Sequence, residues 1–428
     1  MWSPPGRPPE RGETAPVRVL LVAPVPPDAD GAGAIPVLLH AELRGLRRRH
    51  EVTLITAVGD EPGEVEAVER LLGEGEGEVH VVDRRRPPPG WRRRRRQARM
   101  AANWARGRWP WRTVWFADPG FQRVLDRLAA EREFDVVAVE DSAMSVFRYP
   151  AGVPVVYTHH EVLRSRPVDW HPGPPRSWPG WAFGELDWRR WERFQRAVWR
   201  RFDRIQVFSR RDAETLAALA PEVADRVRID PFGIELPPPA DPGAEERGLV
   251  LFVGNFAHPP NRDAADWLAR EIMPAVRARV PAARLRIVGT APPDSVRGLA
   301  GEGIEVVADA PDVLPHLAAA AVVMAPVRTG GGMRMKVLQA MAAGRAVVTT
   351  SRGTEGFTGF GAPPPLVVAE EAHEIAAATA ALLGDDEERR RLEVRAREFC
   401  EAYLSPDAWA ERQTAVFEEA REGAGSDA

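Results

Sequence analysis

The sequence predicts an α/β protein with two parallel sheets, each covered by helices on both faces. Short β-branched runs alternate with stretches of helical spacing in both halves of the 428-residue chain, and that alternation is typical of βαβ units. A proline-rich break, Pro237–Pro242, separates the halves, and the alternation begins again at Leu249. Ligands of such sheets bind outside the carboxyl ends of the strands, so the sequence predicts a site in a cleft between two domains.

The first half opens with a β-branched run, Val17–Val22, that suits a buried strand. A loop containing Gly31 and Gly33 follows, and then a helix over about Ile35–Arg49. With the next strand, these segments make a βαβ unit, which joins parallel strands. The further strands predicted in this half are Val52–Thr56, Val79–Val82, Asp135–Val139, Val153–Tyr157 and Arg204–Phe208.

The second half alternates more regularly. Strands are predicted at Leu249–Val253, Leu285–Val288, Ile304–Val307, Val322–Ala325 and Ala346–Thr350. The helices between them are predicted at Asp263–Val280, Ser295–Ala300, Val313–Ala320 and from Met335 to Gly344, and a helix pair follows over about 372–421. We expect residues 1–15 to be a flexible tail, 16–230 the first domain and 247–400 the second. The last helix, within 401–428, is expected to return to the first domain and to couple closure of the cleft.

Composition excludes several classes of protein. Hydrophobic residues make up 44% of the chain, which allows a large core and excludes wholesale disorder. The single cysteine, Cys400, forms no internal disulfide and excludes a cysteine zinc cluster. The opening residues lack the apolar core of a signal peptide, and no run approaches the length of a membrane-spanning helix. These features predict a cytoplasmic protein and leave peripheral contact with the inner membrane face open.

The segment Val322–Phe357 carries the densest functional pattern of the chain. A predicted strand there leads to a triple glycine, Gly330–Gly332, and two cations, Arg334 and Lys336, stand at the start of the next helix. Glycines let backbone N–H groups approach an oxygen closely, and the helix start adds partial positive charge. Cations at a helix start oppose its dipole and therefore favour a bound anion. The pattern predicts a site for a phosphate or diphosphate.

The order of these motifs resembles the nucleotide-sugar glycosyltransferases of the GT-B fold, in particular the retaining family 4 group. The triple glycine with Arg334 and Lys336 is similar to the subgroup that has a GGG-x-R-x-K turn. The segment Leu338–Gly344 and the turn Gly353–Gly356 stand where the family has a Leu-Glu-Ala-Met-Ala-x-Gly helix and a Gly-x-x-Glu-Gly turn. Further matching segments are Pro27–Gly33, Thr158–Glu161, Pro231–Glu235, Val253–Asn255 and Pro260–Asn261.

The resemblance implies two Rossmann-like doubly wound domains that face each other across a cleft. The second domain would bind a nucleotide-sugar, and the first a glycan, lipid-linked or small-molecule acceptor. Arg334 and Lys336 are expected to neutralise the donor diphosphate as the sugar–phosphate bond breaks, without a metal or a cofactor. The residues expected to bind the donor are Gly31, Gly33, Gly254, Asn255, Gly330, Gly331, Gly332, Gln339 and Glu355.

The resemblance also implies a role for a histidine that follows a strand of the first domain. Either His159 or His160 is expected to orient a sugar hydroxyl or the acceptor, and Glu161 is a weaker candidate. Transfer is expected to retain the anomeric configuration and to serve cell-surface polysaccharide biosynthesis. Base selection is expected to depend on backbone groups near Val307–Pro311, so the sequence names neither the base nor the sugar.

Two positions depart from the family pattern. Gly331 and Gln339 stand where many members carry a glutamate on the turn and on the helix. The helix glutamate usually holds the ribose hydroxyls, and an amide can do so only without charge. A catalytically degenerate nucleotide-sugar-binding protein therefore stays an alternative, as does a nucleotide-sugar epimerase of similar architecture. A nicotinamide-dependent oxidoreductase is disfavoured because the first strand leads to Pro24–Pro27 rather than to a Gly-x-Gly-x-x-Gly turn.

Several candidates also have an ordinary structural interpretation. Gly31 and Gly33 fit a plain βα turn, because glycine clusters are common in turns. Asn255 and Glu235 fit helix caps or turn positions. Glu355 fits a solvated turn carboxylate, as the family match by itself does not prove a contact.

Arginine is concentrated in the first half, although the formal net charge is −4. The tract Arg84–Trp115 combines Arg92–Arg96 with tryptophans at 91, 104, 109, 111 and 115. Tryptophan at headgroup level and arginine on lipid phosphate are typical of a surface that docks on an anionic membrane. A solvated helix face is the alternative, and no nucleic-acid recognition module is visible. A second tract, Trp170–Phe202, is typical of helices that pack their indoles inward.

Overall fold

The computed structural model describes residues 15–31, 33–75, 77–107, 109–163 and 178–426. These residues form two compact units. The C-terminal unit spans Glu235–Ser405, and the N-terminal unit holds the described residues up to Ile234 together with those from Pro406 onward. All but the last residue of the predicted tail, 1–15, lies outside the described residues.

A parallel sheet forms the centre of the N-terminal unit. Its seven strands lie in the order β3-β2-β1-β4-β5-β6-β7, and all neighbouring pairs are parallel. The strands are β1 Arg18–Val22, β2 Glu51–Val58, β3 Glu78–Asp83, β4 Val136–Glu140, β5 Val155–His159, β6 Arg204–Val207 and β7 Val227–Ile229. The strand order reverses between β1 and β4, and doubly wound sheets bind ligands at such a switch point.

The helices of the N-terminal unit include one from the end of the chain. Numbered along the chain, they are α1 Ala34–Arg47, α2 Glu64–Gly73, α3 Trp91–Ala105, α4 Trp111–Val114, α5 Pro119–Glu131, α6 Trp178–Trp199, α7 Arg210–Leu219 and α15 Pro406–Ser426. Gly45 of α1 leaves room for the carbonyl of Pro406, with which any side chain would collide. Trp409 is buried, and its indole N–H donates to Asp230 at 3.1 Å. Helix α15 is therefore part of the core of this unit.

A second parallel sheet forms the centre of the C-terminal unit. Its six strands lie in the order β10-β9-β8-β11-β12-β13. The strands are β8 Leu249–Val253, β9 Arg284–Gly289, β10 Ile304–Ala308, β11 Val322–Ala325, β12 Ala346–Thr349 and β13 Val367–Val368. The helices are α8 Pro259–Trp267, α9 Met273–Arg277, α10 Asp294–Arg297, α11 Leu314–Ala319, α12 Met335–Ala342, α13 Ala372–Gly384 and α14 Asp386–Tyr403, and a π-helical turn, Leu268–Ile272, joins α8 to α9.

The predicted fold class is confirmed, since both units are α/β with parallel sheets. Every predicted strand is present, with small shifts at its ends. The sequence missed β7 and β13 because three and two residues are too few to show a β pattern. It also ended β5 too early: this strand extends through His159, which therefore lies within the sheet rather than after it.

Candidate active site

The carboxyl ends of β8, β11 and β12 meet at one edge of the C-terminal sheet. Two threonine hydroxyls fix the course of the chain there. Thr349 donates to the carbonyl of Ala325 at 2.7 Å, and Thr350 donates to the carbonyl of Val327 at 2.6 Å. The segment after β11 is therefore held to the end of β12, and the triple glycine begins from a fixed point.

The backbone conformation of the triple glycine requires glycine at two of its positions. Gly330 and Gly332 have φ angles of 91° and 75°, a region that other residues rarely adopt. Arg334 closes the turn, because its Nη1 donates to the carbonyl of Gly331 at 2.7 Å. The guanidinium therefore lies against the turn itself, beside the start of α12.

Lys336 lies one residue into α12 and is partly buried. Its ammonium donates to Oδ1 of Asn261 at 2.6 Å and lies 4.3 Å from the ring centroid of Phe252. Burial, followed by the charge of Arg334, lowers the pKa of Lys336 from 10.5 to about 7. A bound anion would reverse this shift, because it stabilises the charged form of the lysine.

Arg352 is a site residue that the sequence reasoning missed. Its Nη1 donates to the carbonyl of Gly330 at 3.2 Å and lies 3.6 Å from Oε1 of Glu355. It therefore connects the triple glycine to the turn that follows β12. A basic residue just before the Gly353–Gly356 turn was the available signal. The ion pair also gives Glu355 a structural partner, so its predicted contact with ribose or sugar stays a prediction.

The second glycine turn packs directly on the first segment. Gly356 has a φ of 89°, and a β-carbon there would lie 2.6 Å from Cγ of Met333. A side chain at this position would displace Met333, the residue before Arg334. Gly356 therefore allows the two turns to approach each other.

The loop after β8 supports Lys336. Oδ1 of Asn255 accepts from the backbone N–H of Ala257 at 2.9 Å, and Nδ2 of Asn261 donates to the carbonyl of Asn255 at 2.6 Å. The Asn255 side chain thus holds a local turn, as its structural interpretation predicts. Its neighbour Gly254 lies so close to Gly289 that a β-carbon on Gly289 would collide with the Gly254 carbonyl.

Gln339 lies in the middle of α12 and is partly exposed. It follows Lys336 by three residues, which places the two side chains on neighbouring positions of one helix face. This position is compatible with the predicted contact to ribose, which stays a prediction.

The remaining predicted residues lie in the N-terminal unit. Gly31 and Gly33 form the loop between β1 and α1, at the carboxyl edge of the first sheet. A side chain on Gly31 would collide with Pro36, and Gly33 has a φ of 95° immediately before α1. Both glycines are thus required by the turn itself, and their predicted contact with the donor stays a prediction.

The geometry separates the two candidate histidines. His159 is buried, and its Nε2 donates to the carbonyl of Glu161 at 2.8 Å. Its Nδ1 accepts from the hydroxyl of Tyr157 at 2.8 Å and from the indole N–H of Trp199 at 3.2 Å. Burial lowers the pKa of His159 to about 4. Both ring nitrogens are occupied within the fold, so His159 is a structural residue in this structure.

His160 is the better candidate for contact with a substrate. It lies beyond the end of β5, and its Nε2 is 2.8 Å from Oε2 of the buried Glu140. Its Nδ1 lies 3.9 Å from Oδ2 of Asp141. Burial lowers the pKa of His160, but the hydrogen bond and charge of Glu140 and the charge of Asp141 outweigh it and raise the pKa. The raised pKa favours the protonated, charged form of His160.

The structure thus brings together the predicted residues of the C-terminal unit. Those that share one edge of its sheet are Gly254, Asn255, Gly330, Gly331, Gly332, Arg334, Lys336, Gln339 and Glu355. Gly31, Gly33, His159 and His160 lie at the corresponding edge of the other unit.

The chain is similar to known glycosyltransferases in sequence and in fold. A family model described as "Glycosyl transferases group 1" matches residues 247–385. A search of curated protein sequences gives no match. Sucrose-phosphate synthase from Thermosynechococcus elongatus is similar in structure, with a TM-score of 0.63 and 16% identity over 94% of this chain and 98% of that chain.

Two further solved structures support the same comparison. TarM has a TM-score of 0.64 and 8% identity over 94% of this chain and 98% of that chain. Anabaena HepE in complex with UDP and glucose has a TM-score of 0.60 and 13% identity over 94% of this chain and 100% of that chain. At such identities the likeness shows the fold, which is the GT-B fold, as predicted.

The family match falls on the elements that carry the candidate site. It includes every strand of the C-terminal sheet and the turns that hold Gly330–Gly332, Arg334, Lys336 and Glu355. The predicted enzyme class, glycosyltransferase, is confirmed, whereas membership of family 4 and the retaining outcome stay predictions. Residues 247–385 match the group 1 glycosyl transferases, within a chain of the GT-B fold.

Proposed function

We propose that the chain transfers a sugar from a nucleotide-sugar to an acceptor hydroxyl, and that the turn at Gly330–Lys336 binds the donor diphosphate. The observation that carries this proposal is the environment of Lys336. Its ammonium contacts a neutral amide oxygen and an aromatic ring, with the second cation Arg334 beside it. Cations in such surroundings are stabilised strongly by an anion, and a nucleotide-sugar supplies one as its diphosphate.

The same cations favour the reaction. When the bond between the sugar carbon and the diphosphate oxygen breaks, negative charge accumulates on the leaving diphosphate. Arg334, Lys336 and the backbone N–H groups of the triple glycine would hold that charge, so they stabilise the transition state more than the ground state. We therefore propose a transfer that needs no metal ion.

We propose that the anomeric configuration is retained. The acceptor oxygen then bonds to the same face of the sugar carbon that the diphosphate leaves. The leaving diphosphate oxygen takes the proton of the acceptor hydroxyl, so no protein side chain is needed as a nucleophile. The resemblance to family 4 supports this outcome.

The donor is proposed to be a nucleotide-sugar whose ribose contacts Gln339 and Glu355. HepE, a structural relative, was solved with UDP-glucose, which makes UDP-glucose the first donor to test. A glycan or lipid-linked acceptor is proposed for the N-terminal unit, near His160, in cell-surface polysaccharide biosynthesis. We propose that the protein is cytoplasmic.

The test of this function is the rate of nucleotide release with Arg334→Ala. We expect a fall in kcat of about 100-fold or more, because removing a group aimed at developing charge has an effect of this size. Arg247→Ala is the matched control, since the Arg247 side chain lies in the same unit and is 91% exposed. Near-normal turnover by Arg334→Ala, with the fold intact, would overturn the assignment.

A catalytically degenerate binding protein is the second candidate. It is favoured by one observation, namely that Gly331 and Gln339 replace two carboxylates of the family pattern. Calorimetric titration with nucleotide-sugars, followed by detection of released nucleotide, separates the two functions. Binding without release in the presence of a range of acceptors would favour the second candidate.

We also propose that α3 contacts an anionic membrane. None of the described helices combines the length and the apolar character needed to cross a bilayer, so the contact would be peripheral. Trp91 at the start of α3 is 67% exposed, and Arg92, Arg94 and Arg95 are exposed beside it. Exposed tryptophan next to several arginines suits the headgroup region of anionic lipid.

Sedimentation with lipid vesicles tests this contact. Each arginine near an anionic surface contributes about 1 kcal/mol, so Arg94→Glu with Arg95→Glu should lower the partition coefficient at least about 30-fold. The matched control is Arg390→Glu with Arg395→Glu, two exposed arginines of α14. Equal loss in both double variants, or binding to neutral vesicles as strong as to anionic ones, would contradict the proposal.

A further inference from the structure

Two buried carboxyl groups lie behind His160. Glu42 is on α1 and Glu140 is the last residue of β4, and neither side chain is exposed to solvent. Nε2 of Gln413, on α15, donates to Oε1 of Glu42 at 2.6 Å. Oε2 of Glu140 lies 2.8 Å from Nε2 of His160. The last helix thus contacts Glu42, and the histidine at the edge of the sheet contacts Glu140.

These contacts use only one oxygen of each carboxyl group. Oε2 of Glu42 and Oε1 of Glu140 are buried and have no hydrogen-bond partner among the described residues. The Glu42 and Glu140 side chains are neighbours that interact directly, and the charge of Glu140 acts on the Glu42 carboxyl. Two neighbouring carboxylates that are shielded from solvent repel each other strongly. One proton shared between them would give Oε2 of Glu42 and Oε1 of Glu140 a hydrogen-bond partner.

We propose that Glu42 keeps a proton that it donates to Glu140, and that the carboxyl group of Glu140 positions His160 and favours its charged form. The inference deepens the proposed function, because it rests on His160 acting on a substrate there. Glu140 is thus a positioning residue, which acts through the histidine. Its Oε2 fixes the ring through Nε2, whereas Nδ1 is buried and lies 3.9 Å from Oδ2 of Asp141.

The surrounding charges agree with this assignment. Burial first, and the charge of Glu140 second, raise the pKa of Glu42 well above its ordinary value. Asp230 also faces Glu42, but it is paired with Arg412 at 2.7 Å. Around His160, the other facing groups are Asp141, Arg112 and the neutral His159. Among these groups, Glu140 makes the closest contact with the histidine, at 2.8 Å.

The experiment compares two isosteric substitutions in the full chain, Glu42→Gln and Glu140→Gln. The readout is the pKa of His160, followed by NMR of the labelled histidine rings and assigned by the signal lost in His160→Gln. A glutamine at 42 imitates a protonated carboxyl, because its amide can accept from Gln413 and donate to Glu140. We expect Glu42→Gln to leave the pKa of His160 within a few tenths. Glu140→Gln removes the charge and should lower that pKa by about one unit or more.

A second readout needs neither histidine nor substrate. In the unfolded state, Glu42 releases its proton above its ordinary pKa of about 4.5. In the folded state its pKa is raised, so the folded protein keeps that proton to higher pH. Wild-type stability should therefore fall, relative to Glu42→Gln, as the pH rises above about 4.5. Urea unfolding at several pH values measures this difference.

Two results would overturn the proposal. One is an equal fall in the pKa of His160 in both variants, and the other is an unchanged pKa in Glu140→Gln. The shared proton would be excluded if the free energy of unfolding of wild type and of Glu42→Gln changed in parallel with pH. All of these readouts are independent of turnover. Failure to detect sugar transfer would count against the proposed function. The NMR and unfolding measurements would still test whether Glu42 and Glu140 share a proton.

Discussion

Replacing Lys336 with arginine should remove the pH dependence that this lysine gives to donor binding. Burial and the charge of Arg334 lower the pKa of Lys336 from 10.5 to about 7. Half of the ammonium groups have therefore lost their proton near neutral pH, whereas a guanidinium stays charged. A bound diphosphate stabilises the charged lysine and raises its pKa in the complex.

The size of the effect follows from the two pKa values. The difference between 10.5 and about 7 corresponds to on the order of 5 kcal/mol. This is the upper limit of what an anion can return, because water screens a side chain that is only partly buried. Above pH 7 the unliganded protein loses the charge that the complex retains. The Kd of the donor should therefore rise about tenfold per pH unit, or about 100-fold between pH 6 and pH 9.

Isothermal titration calorimetry with a nucleotide-sugar measures this dependence. Buffers of different ionisation enthalpy also report the uptake of about half a proton per donor at pH 7. Lys336→Arg should bind with a Kd that changes less than about threefold over the same range, and Lys336→Met should bind weakly throughout. A wild-type Kd that is constant between pH 6 and pH 9, or an equal slope in Lys336→Arg, would refute the reasoning.

Two further predictions concern stability and are measured by urea unfolding. Gly289→Ala should cost about 2 kcal/mol or more, because its β-carbon would collide with the carbonyl of Gly254. Gly384→Ala is the control, with open space around its β-carbon, and an equal loss in both would contradict the packing argument. Arg412→Ala should cost about 3–5 kcal/mol, because it leaves the buried carboxylate of Asp230 without its cation. Adding Asp230→Asn should recover much of that loss, and no recovery would show that the charge is not the cause.

The sequence by itself determined the fold class and the residues that form the glycine turn of the C-terminal unit. Strands β8 and β11 follow the predicted bounds because each is a short apolar run between turn signals. The triple glycine, Arg334 and Lys336 are contiguous, so their proximity is a local property of the chain. Residues that are contiguous in the sequence stay close together in the folded protein, so a local pattern of this kind can be recognised from the sequence.

Only the tertiary structure decided which side chains face one another across the sheets. Nothing in the sequence connects Glu42, Glu140 and Gln413, which lie on α1, β4 and α15 and meet only because these elements pack together. The same packing gave His159 a structural role and left His160 as the candidate. Arg352 was missed for the same reason, because its partner Gly330 lies on a different strand end. Long-range contacts depend on how the elements pack, which the local pattern of residues does not encode.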